Sequence, residues 1–258
     1  MVYDKIPEDI LYGEIEEEII ENKRKIRDSE RYKIRELVFD QKTLETIFEL
    51  QKKGYIGELK RIISTGKEAN VYLANGPDFE YTGIEDYRAV KIYKIETTKF
   101  KNFEDYLLWD PRFKFLETNN KRKLIYAWCK KEFSNLLEAY SVGVRVPKPY
   151  KFLNNVIVME FIGKDGVPAP RLKDYIPENP KEFLDKVYEY LLTLKKEARL
   201  VHADISEYNI LVLDEEPVII DMAQAVKEGH PMFESFWERD IYNLNKIAKK
   251  LGVKSEYR

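Results

Sequence analysis

The chain has 258 residues, 44% of them hydrophobic and 35% charged, which is enough apolar material for a sizeable core and excludes a wholly disordered chain. Its 44 Lys and Arg nearly cancel its 46 Asp and Glu, and a net charge of −2 argues against wholesale wrapping of nucleic acid. One cysteine, Cys129, and two histidines, His202 and His230, exclude an intrachain disulfide and leave little for a transition-metal site.

No apolar run approaches about 18 residues, so no membrane span is expected. The first residues, Met1-Val-Tyr-Asp-Lys-Ile6, lack the basic-then-apolar layout of a signal peptide, and a cytoplasmic protein is expected. Abundant Lys, Glu and Arg with few Cys, Met, Gly and Pro suit a thermophile.

In chain order, residues 1–57 are predicted to be helical, with helix formers over 13–22 and Leu37, Leu44, Ile47, Phe48 and Leu50 at helical spacing. Short β-rich runs follow at 59–64, 71–74 and 87–93, separated by turn residues, which predicts an antiparallel sheet. Residues 94–131 carry 10 Lys and Arg against 5 Asp and Glu, interleaved with aromatics such as Trp109, Phe113 and Trp128. Such a stretch can contact phosphates and stack on bases, but its aromatics serve equally well as packing residues. A helix is predicted from about 124 to 140, then strands over 148–153 and 156–162 joined by a turn at Asn154-Asn155. Pro180 to Arg199 carries one apolar stripe and reads as a helix. Runs at 210–213 and 218–220 flank a turn at 214–217 and predict a hairpin, and a last helix is predicted over 236–251. The expected division is 1–57, a β-rich lobe over 58–162, and a helical lobe over 163–258.

The strongest string is Val201-His-Ala-Asp-Ile-Ser-Glu-Tyr-Asn209, which sets His202, Asp204 and Asn209 in the pattern H-x-D-x-x-x-x-N. Asp221 stands 12 residues further on, after the second strand of the hairpin. Phosphoryl transfer needs a carboxylate to orient the attacking hydroxyl, here Asp204, and an amide and a carboxylate to hold Mg²⁺, here Asn209 and Asp221. A turn or helix cap would account for Asp204 and Asn209 alone, but not for the spaced Asp221. Ala89-Val-Lys-Ile92 resembles the V-A-I-K strand of kinases and makes Lys91 the phosphate-binding lysine. The loop before it, Ser64-Thr65-Gly66-Lys67-Glu68, is neither G-x-G-x-x-G nor a Walker A loop, yet its backbone N–H groups and hydroxyls can contact phosphate oxygens. Glu132 is expected to partner Lys91, with Glu138 as the fallback. The strand through Met159 and Glu160 to Ile162 reads as the hinge whose backbone meets the adenine edge.

Ser64 to Ala69, His202 to Asn209 and Ile220-Asp-Met-Ala-Gln224 together resemble the RIO family of atypical protein kinases, in its short archaeal Rio1 type. The resemblance covers roughly residues 50–250. Ser206 stands two residues after Asp204, where ordinary kinases have Lys, Met-Ala follows Asp221 in place of Phe-Gly, and no Ala-Pro-Glu occurs afterwards. These departures fit the RIO pattern. The resemblance implies an α+β, two-lobed protein-kinase-like fold with a small β-rich N-lobe, a reduced helical C-lobe and an N-terminal helical extension. It implies residues 94–123 as a mobile insertion, and ATP with Mg²⁺, or Mn²⁺ as a substitute. It further implies autophosphorylation on serine and a role with the pre-ribosomal small subunit, its proteins and its rRNA being the expected partners.

Two readings compete with a protein kinase. The same site could act as an ATPase switch on an assembling particle, with phosphorylation of Asp221 as an intermediate step. A small-molecule phosphotransferase of the aminoglycoside-kinase type shares H-x-D-x-x-x-x-N. Its acceptor pocket comes from an added helical region, for which the 37 residues after Asp221 leave little room.

Overall fold

The computed structural model describes residues 39–77, 86–95, 106–107, 109–113, 120–254 and 256–258. The helix expected at 13–22 and most of the insertion expected at 94–123 lie outside the described residues. The first described helix, α1 (Gln41–Lys52), starts where the Asp40 carboxylate accepts the N–H of Thr43 at 3.3 Å and its hydroxyl at 2.8 Å.

Five strands follow: β1 (Leu59–Thr65), β2 (Ala69–Asn75), β3 (Tyr87–Tyr93), β4 (Pro149–Leu153) and β5 (Val156–Glu160). They form one sheet in the order β1-β2-β3-β5-β4, with every neighbouring pair antiparallel. The two-residue period of a strand sorts β3 between two cores. Val90 and Ile92 join Ile47 and Leu50 of α1 on one face. Ala89 and Tyr93 join the larger core on the other. Lys91 shares the parity of Ala89 and Tyr93, so its side chain falls on the face turned away from α1.

That second face is covered by α2 (Lys121–Ser141). Its start lies earlier than the predicted 124, because Asn120 Oδ1 caps it by accepting the N–H groups of Arg122 and Lys123 at 3.0 and 3.2 Å. The helix buries residues on both sides: Leu124, Trp128, Leu136 and Ala139, but also Lys131, Glu132 and Asn135. Of the aromatics singled out in 94–131, Phe113 and Trp128 pack in the core, whereas Trp109 is 59% exposed.

Strand β5 ends at Glu160, two residues short of the predicted end, and Ile162 lies beyond it. At Gly163 a Cβ would come within 2.1 Å of the Val167 carbonyl oxygen, so only glycine fits where β6 (Gly163–Lys164) pairs with β7 (Val167–Pro168). Next comes α3 (Pro180–Thr193), capped by Asn179. It was expected to run to Arg199. Instead its last turn loosens into a π-turn over Leu194–Ala198, which stops at Arg199 in the left-handed conformation, φ 53°. Strand β8 (Leu200–Val201) pairs with β11 (Val226–Lys227). Between them, β9 (Ile210–Leu213) and β10 (Glu216–Ile219) form the expected hairpin. Its turn is tighter than predicted: Asp214 and Glu215, at φ 53° and 63°, complete it alone. The last helix, α4 (Phe233–Lys250), buries Phe233, Ile241, Leu244, Ile247 and Ala248, with Asp240 among them. Among the described residues, no helix is long and apolar enough to cross a membrane.

Candidate active site

The site forms where one face of β3, the buried side of α2 and the two ends of the β9–β10 hairpin converge. Lys91 Nζ donates to Glu132 Oε1 at 2.6 Å and to Asp221 Oδ1 at 3.1 Å. The other oxygen of Glu132 accepts the Tyr93 hydroxyl. Lys91 is 8% exposed and Glu132 1%, so this is a buried ion pair, while Asp221 faces the open cleft. The fallback partner, Glu138, pairs elsewhere, with Arg112 and Lys227.

Charge follows from this packing. Burial opposes the Lys91 ammonium, but Asp221 and Glu132 hold its pKa above the ordinary lysine value. Burial raises the Glu132 carboxyl above its usual range, with Lys91 only partly offsetting it. Surrounding protein partly desolvates the Asp221 carboxylate although it opens to the cleft, yet Lys91 holds its pKa below the usual carboxylate range. Its backbone is left-handed, φ 63° and ψ 64°, a conformation a non-glycine residue holds only under constraint.

The loop between β8 and β9 carries the other group. Asn209 Nδ2 donates to the Asp204 backbone carbonyl at 2.9 Å and to Asp204 Oδ2 at 3.0 Å, which leaves Asn209 Oδ1 as an acceptor. The Ile220 N–H donates to the Asn209 carbonyl at 3.0 Å, so the hairpin brings Asn209 next to Asp221 as the spacing predicts. Burial raises the Asp204 carboxyl, the charge of Asp221 adds to that, and the Asn209 bond opposes it. His202 is buried between the two segments. Its Nδ1 accepts the Asp204 N–H at 3.2 Å, so Nε2 carries the hydrogen donated to the Ile220 carbonyl at 3.1 Å. An amide oxygen and an ionised carboxylate suit Mg²⁺, which keeps its remaining positions for phosphates and water. Asn209 and Asp221 therefore fit that ion.

The phosphate-loop candidates are partly committed to the protein. Ser64 Oγ accepts from Arg171 at 2.9 Å, and the Gly66 N–H donates to the Ala69 carbonyl at 2.9 Å. That N–H is therefore engaged within the loop. Thr65, Lys67 and Glu68 are exposed. Glu68 lies at the exposed edge of the loop but is partly desolvated, and this and then the charge of Asp221 raise its carboxyl, so the loop reaches Asp221 electrostatically. At the hinge, Met159 is buried, and the Ile162 carbonyl accepts the Ala169 N–H at 3.0 Å. The Glu160 carboxylate is taken by Arg145, at 2.6 and 2.8 Å, and its backbone N–H donates to the Lys148 carbonyl at 2.8 Å.

Three groups near the site escape the sequence reading. Gln224 Nε2 donates to Asp204 Oδ2 at 3.4 Å. Asp240 accepts the N–H groups of Ala203 and Ile205 at 2.7 and 3.1 Å. Lys131 donates to backbone carbonyls just after Asp221. The available signal was a charge standing on an otherwise apolar helix stripe, as Asp240 does with Leu244 and Ile247.

Known proteins similar to this chain share its fold and family. The RIO domain family matches residues 70–258. The chain is 40% identical over 236 residues to the RIO-type serine/threonine-protein kinase Rio1 of Haloferax volcanii, covering 92% of this chain and 79% of that one. It is 38% identical over 248 residues to the protein of that name from Methanocaldococcus jannaschii, covering 96% of this chain and 82% of that one. In structure it is similar to a Rio2 kinase–ADP/Mg²⁺–phosphoaspartate complex from Chaetomium thermophilum, with a TM-score of 0.62 over 81% of this chain and 60% of that one, at 20% identity. The two-lobed kinase fold is shared, and with the Rio1 relatives matching along nearly the whole length, the chain belongs to the RIO family of serine/threonine-protein kinases.

Proposed function

We propose that this kinase transfers the γ-phosphoryl group of ATP to serine hydroxyls, its own among them, and that it acts in maturation of the small ribosomal subunit. The observation that carries the first part is the Lys91 ammonium held between Glu132 and Asp221, which aims a permanent positive charge at the place where phosphates meet the metal. In this reading Lys91 binds the α- and β-phosphates and Glu132 orients it. Asn209 and Asp221 hold Mg²⁺, which spreads the charge of the phosphates. Asp204 orients the acceptor hydroxyl and takes its proton, and its raised pKa suits a group that must both accept and release one. The backbone at Glu160 and Ile162 receives the adenine edge, with Met159 as the pocket wall. Thr65, Lys67 and Glu68 cover the phosphates. The ribosomal role is supported by the family resemblance alone.

A second reading keeps the same groups but makes ATP turnover the output. The exposed carboxylate of Asp221 favours it, and the similar Rio2 structure is described as a phosphoaspartate complex. Here an Asp221 oxygen attacks the γ-phosphorus, ADP leaves, and water then cleaves the acyl phosphate. Purified protein with γ-labelled ATP and Mg²⁺ separates the two when released phosphate and protein-bound label are followed together. Label stable on serine supports the kinase. Released phosphate, with a hydroxylamine-sensitive label that Asp221→Asn abolishes, supports the switch. Turnover that survives in Asp204→Ala defeats both.

A further inference from the structure

The segment after Asp221 is a single turn of 3₁₀-helix, Met222–Gln224, too short to hold itself. Its carbonyls are buried and need donors. All three that face α2 are served by two side chains of that helix. Lys131 Nζ donates to the Ala223 carbonyl at 2.8 Å and also to that of Ala225. Asn135 Nδ2 donates to the carbonyls of Met222 and Ala225 at 2.9 and 3.0 Å. Both side chains are fully buried.

The orientation of the Asn135 amide is fixed by its surroundings. Arg112 Nη2 donates to Asn135 Oδ1 at 2.7 Å, and a guanidinium only donates, so the oxygen faces Arg112 and the N–H groups face the turn. Arg112 is itself held by Asp110, with Nη2 2.6 Å from Oδ2. Lys131 sits over the Trp128 ring, 5.3 Å from its centroid, so its reach toward the turn is set by packing. Burying the Lys131 amine against backbone carbonyls gives up its hydration, and its bonds fall on the backbone that directly follows the left-handed Asp221.

We infer that Lys131 and Asn135 are positioning residues that hold the left-handed Asp221 in place for its metal, through the backbone carbonyls of residues 222–225. The inference rests on the reading of Asp221 as a Mg²⁺ ligand. It makes one turn of α2 the common support of both charges in the cleft. Glu132 fixes Lys91, while its neighbours Lys131 and Asn135 fix Asp221. Asp110 and Arg112, from the stretch preceding α2, extend this support.

The test uses Lys131→Met, which keeps the stem, and Asn135→Asp, which keeps the shape but loses both donors. In each, the Mg²⁺ concentration for half-maximal turnover should rise about tenfold, the loss expected for one buried bond. Affinity for ATP in EDTA, read by calorimetry, should stay within about twofold, because that binding does not use the metal carboxylate. Arg112→Gln, at a partly exposed position, frees the Asn135 amide to turn without touching the carbonyls. It should shift the Mg²⁺ dependence the same way, to a smaller extent, and serves if the buried variants fail to fold. A lowered melting temperature with unchanged Mg²⁺ dependence would overturn the inference. Asp221→Asn, whose turnover is expected to be lost, is read with the other variants by calorimetry of nucleotide binding across Mg²⁺ concentrations, and isolates the premise. If that variant also leaves the Mg²⁺ dependence unchanged, the assignment of Asp221 as a ligand fails. If it alone changes it, only the positioning role fails.

Discussion

Asp240 Oδ2 accepts the backbone N–H of Ala203 at 2.7 Å, and the other oxygen of the same carboxylate accepts the N–H of Ile205 at 3.1 Å, so a buried acid on α4 grips both sides of Asp204. Ala203 is held at φ 65°, which a non-glycine residue adopts only when its neighbours insist. Asn243 Nδ2 adds a bond to the Ile205 carbonyl at 3.1 Å. Asp240→Asn turns one acceptor into a donor facing an N–H. Stability should fall by about 1–3 kcal/mol, the cost of a buried group left unpaired. The kcat should fall roughly 10- to 100-fold with little change in ATP affinity, because Asp204 would be displaced and Lys91 would not. Steady-state kinetics showing an unchanged kcat would sink this reading.

Asp204 touches neither Lys91 nor the carbonyls that α2 holds; its bonds run to Asn209 and Gln224. Removing its carboxylate should therefore leave nucleotide binding within about threefold while turnover drops by 10²–10⁴, the range for a positioned base. Asp221→Ala should lose both turnover and Mg²⁺-dependent nucleotide affinity. Calorimetry on the two variants with and without Mg²⁺ distinguishes them, and identical binding profiles would contradict the division of roles.

The Lys91–Glu132 pair is buried, so its partners are strongly coupled. Glu132→Leu strands Lys91 with only Asp221, and Lys91→Met strands Glu132 with Tyr93. Each single change should cost on the order of 3–5 kcal/mol. The double variant should recover much of that loss, since an apolar pair of similar volume needs no desolvation, and should remain inactive. Urea unfolding of the four proteins closes the cycle. Losses that simply add would mean that the pair is not the unit described here.

Lys91, Asp204, Asn209 and Asp221 were legible in the sequence because each occupies a fixed offset in a short motif, and the hairpin between Asn209 and Asp221 showed in its apolar runs. Glu132 was legible because the next helix should supply a carboxylate partner for Lys91, with Glu138 on the same helix as the fallback. Lys131, Asn135 and Asp240 were not. Charged and amide residues on helices are usually solvated, and nothing in the local pattern marks the ones that turn inward to serve backbone groups far away in sequence. Helix ends failed for a related reason. The apolar stripe continues through Leu194 and gives no sign of the π-turn at Leu194–Ala198 that replaces the end of the helix.

Lys131 gives the site a pH signature. Burial pushes its amine down to about 7 from the ordinary 10.5, with Asp110 opposing, Arg112 adding to the depression and Glu132 opposing. The folded pKa thus lies below the unfolded one. Between pH 7 and 10.5 the unfolded chain binds a proton that the folded chain has released, so stability rises with pH across that window. Below about 7 both states are protonated and the cost of burying the charge is fully present. Lys131→Met has no such group. Urea unfolding at pH 6.5, 8 and 9.5 should therefore show the wild type gaining stability relative to this variant as pH rises, while other titrations cancel in the difference. Parallel curves would mean that the ammonium stays charged inside the fold, held by Asp110 more firmly than its burial opposes it.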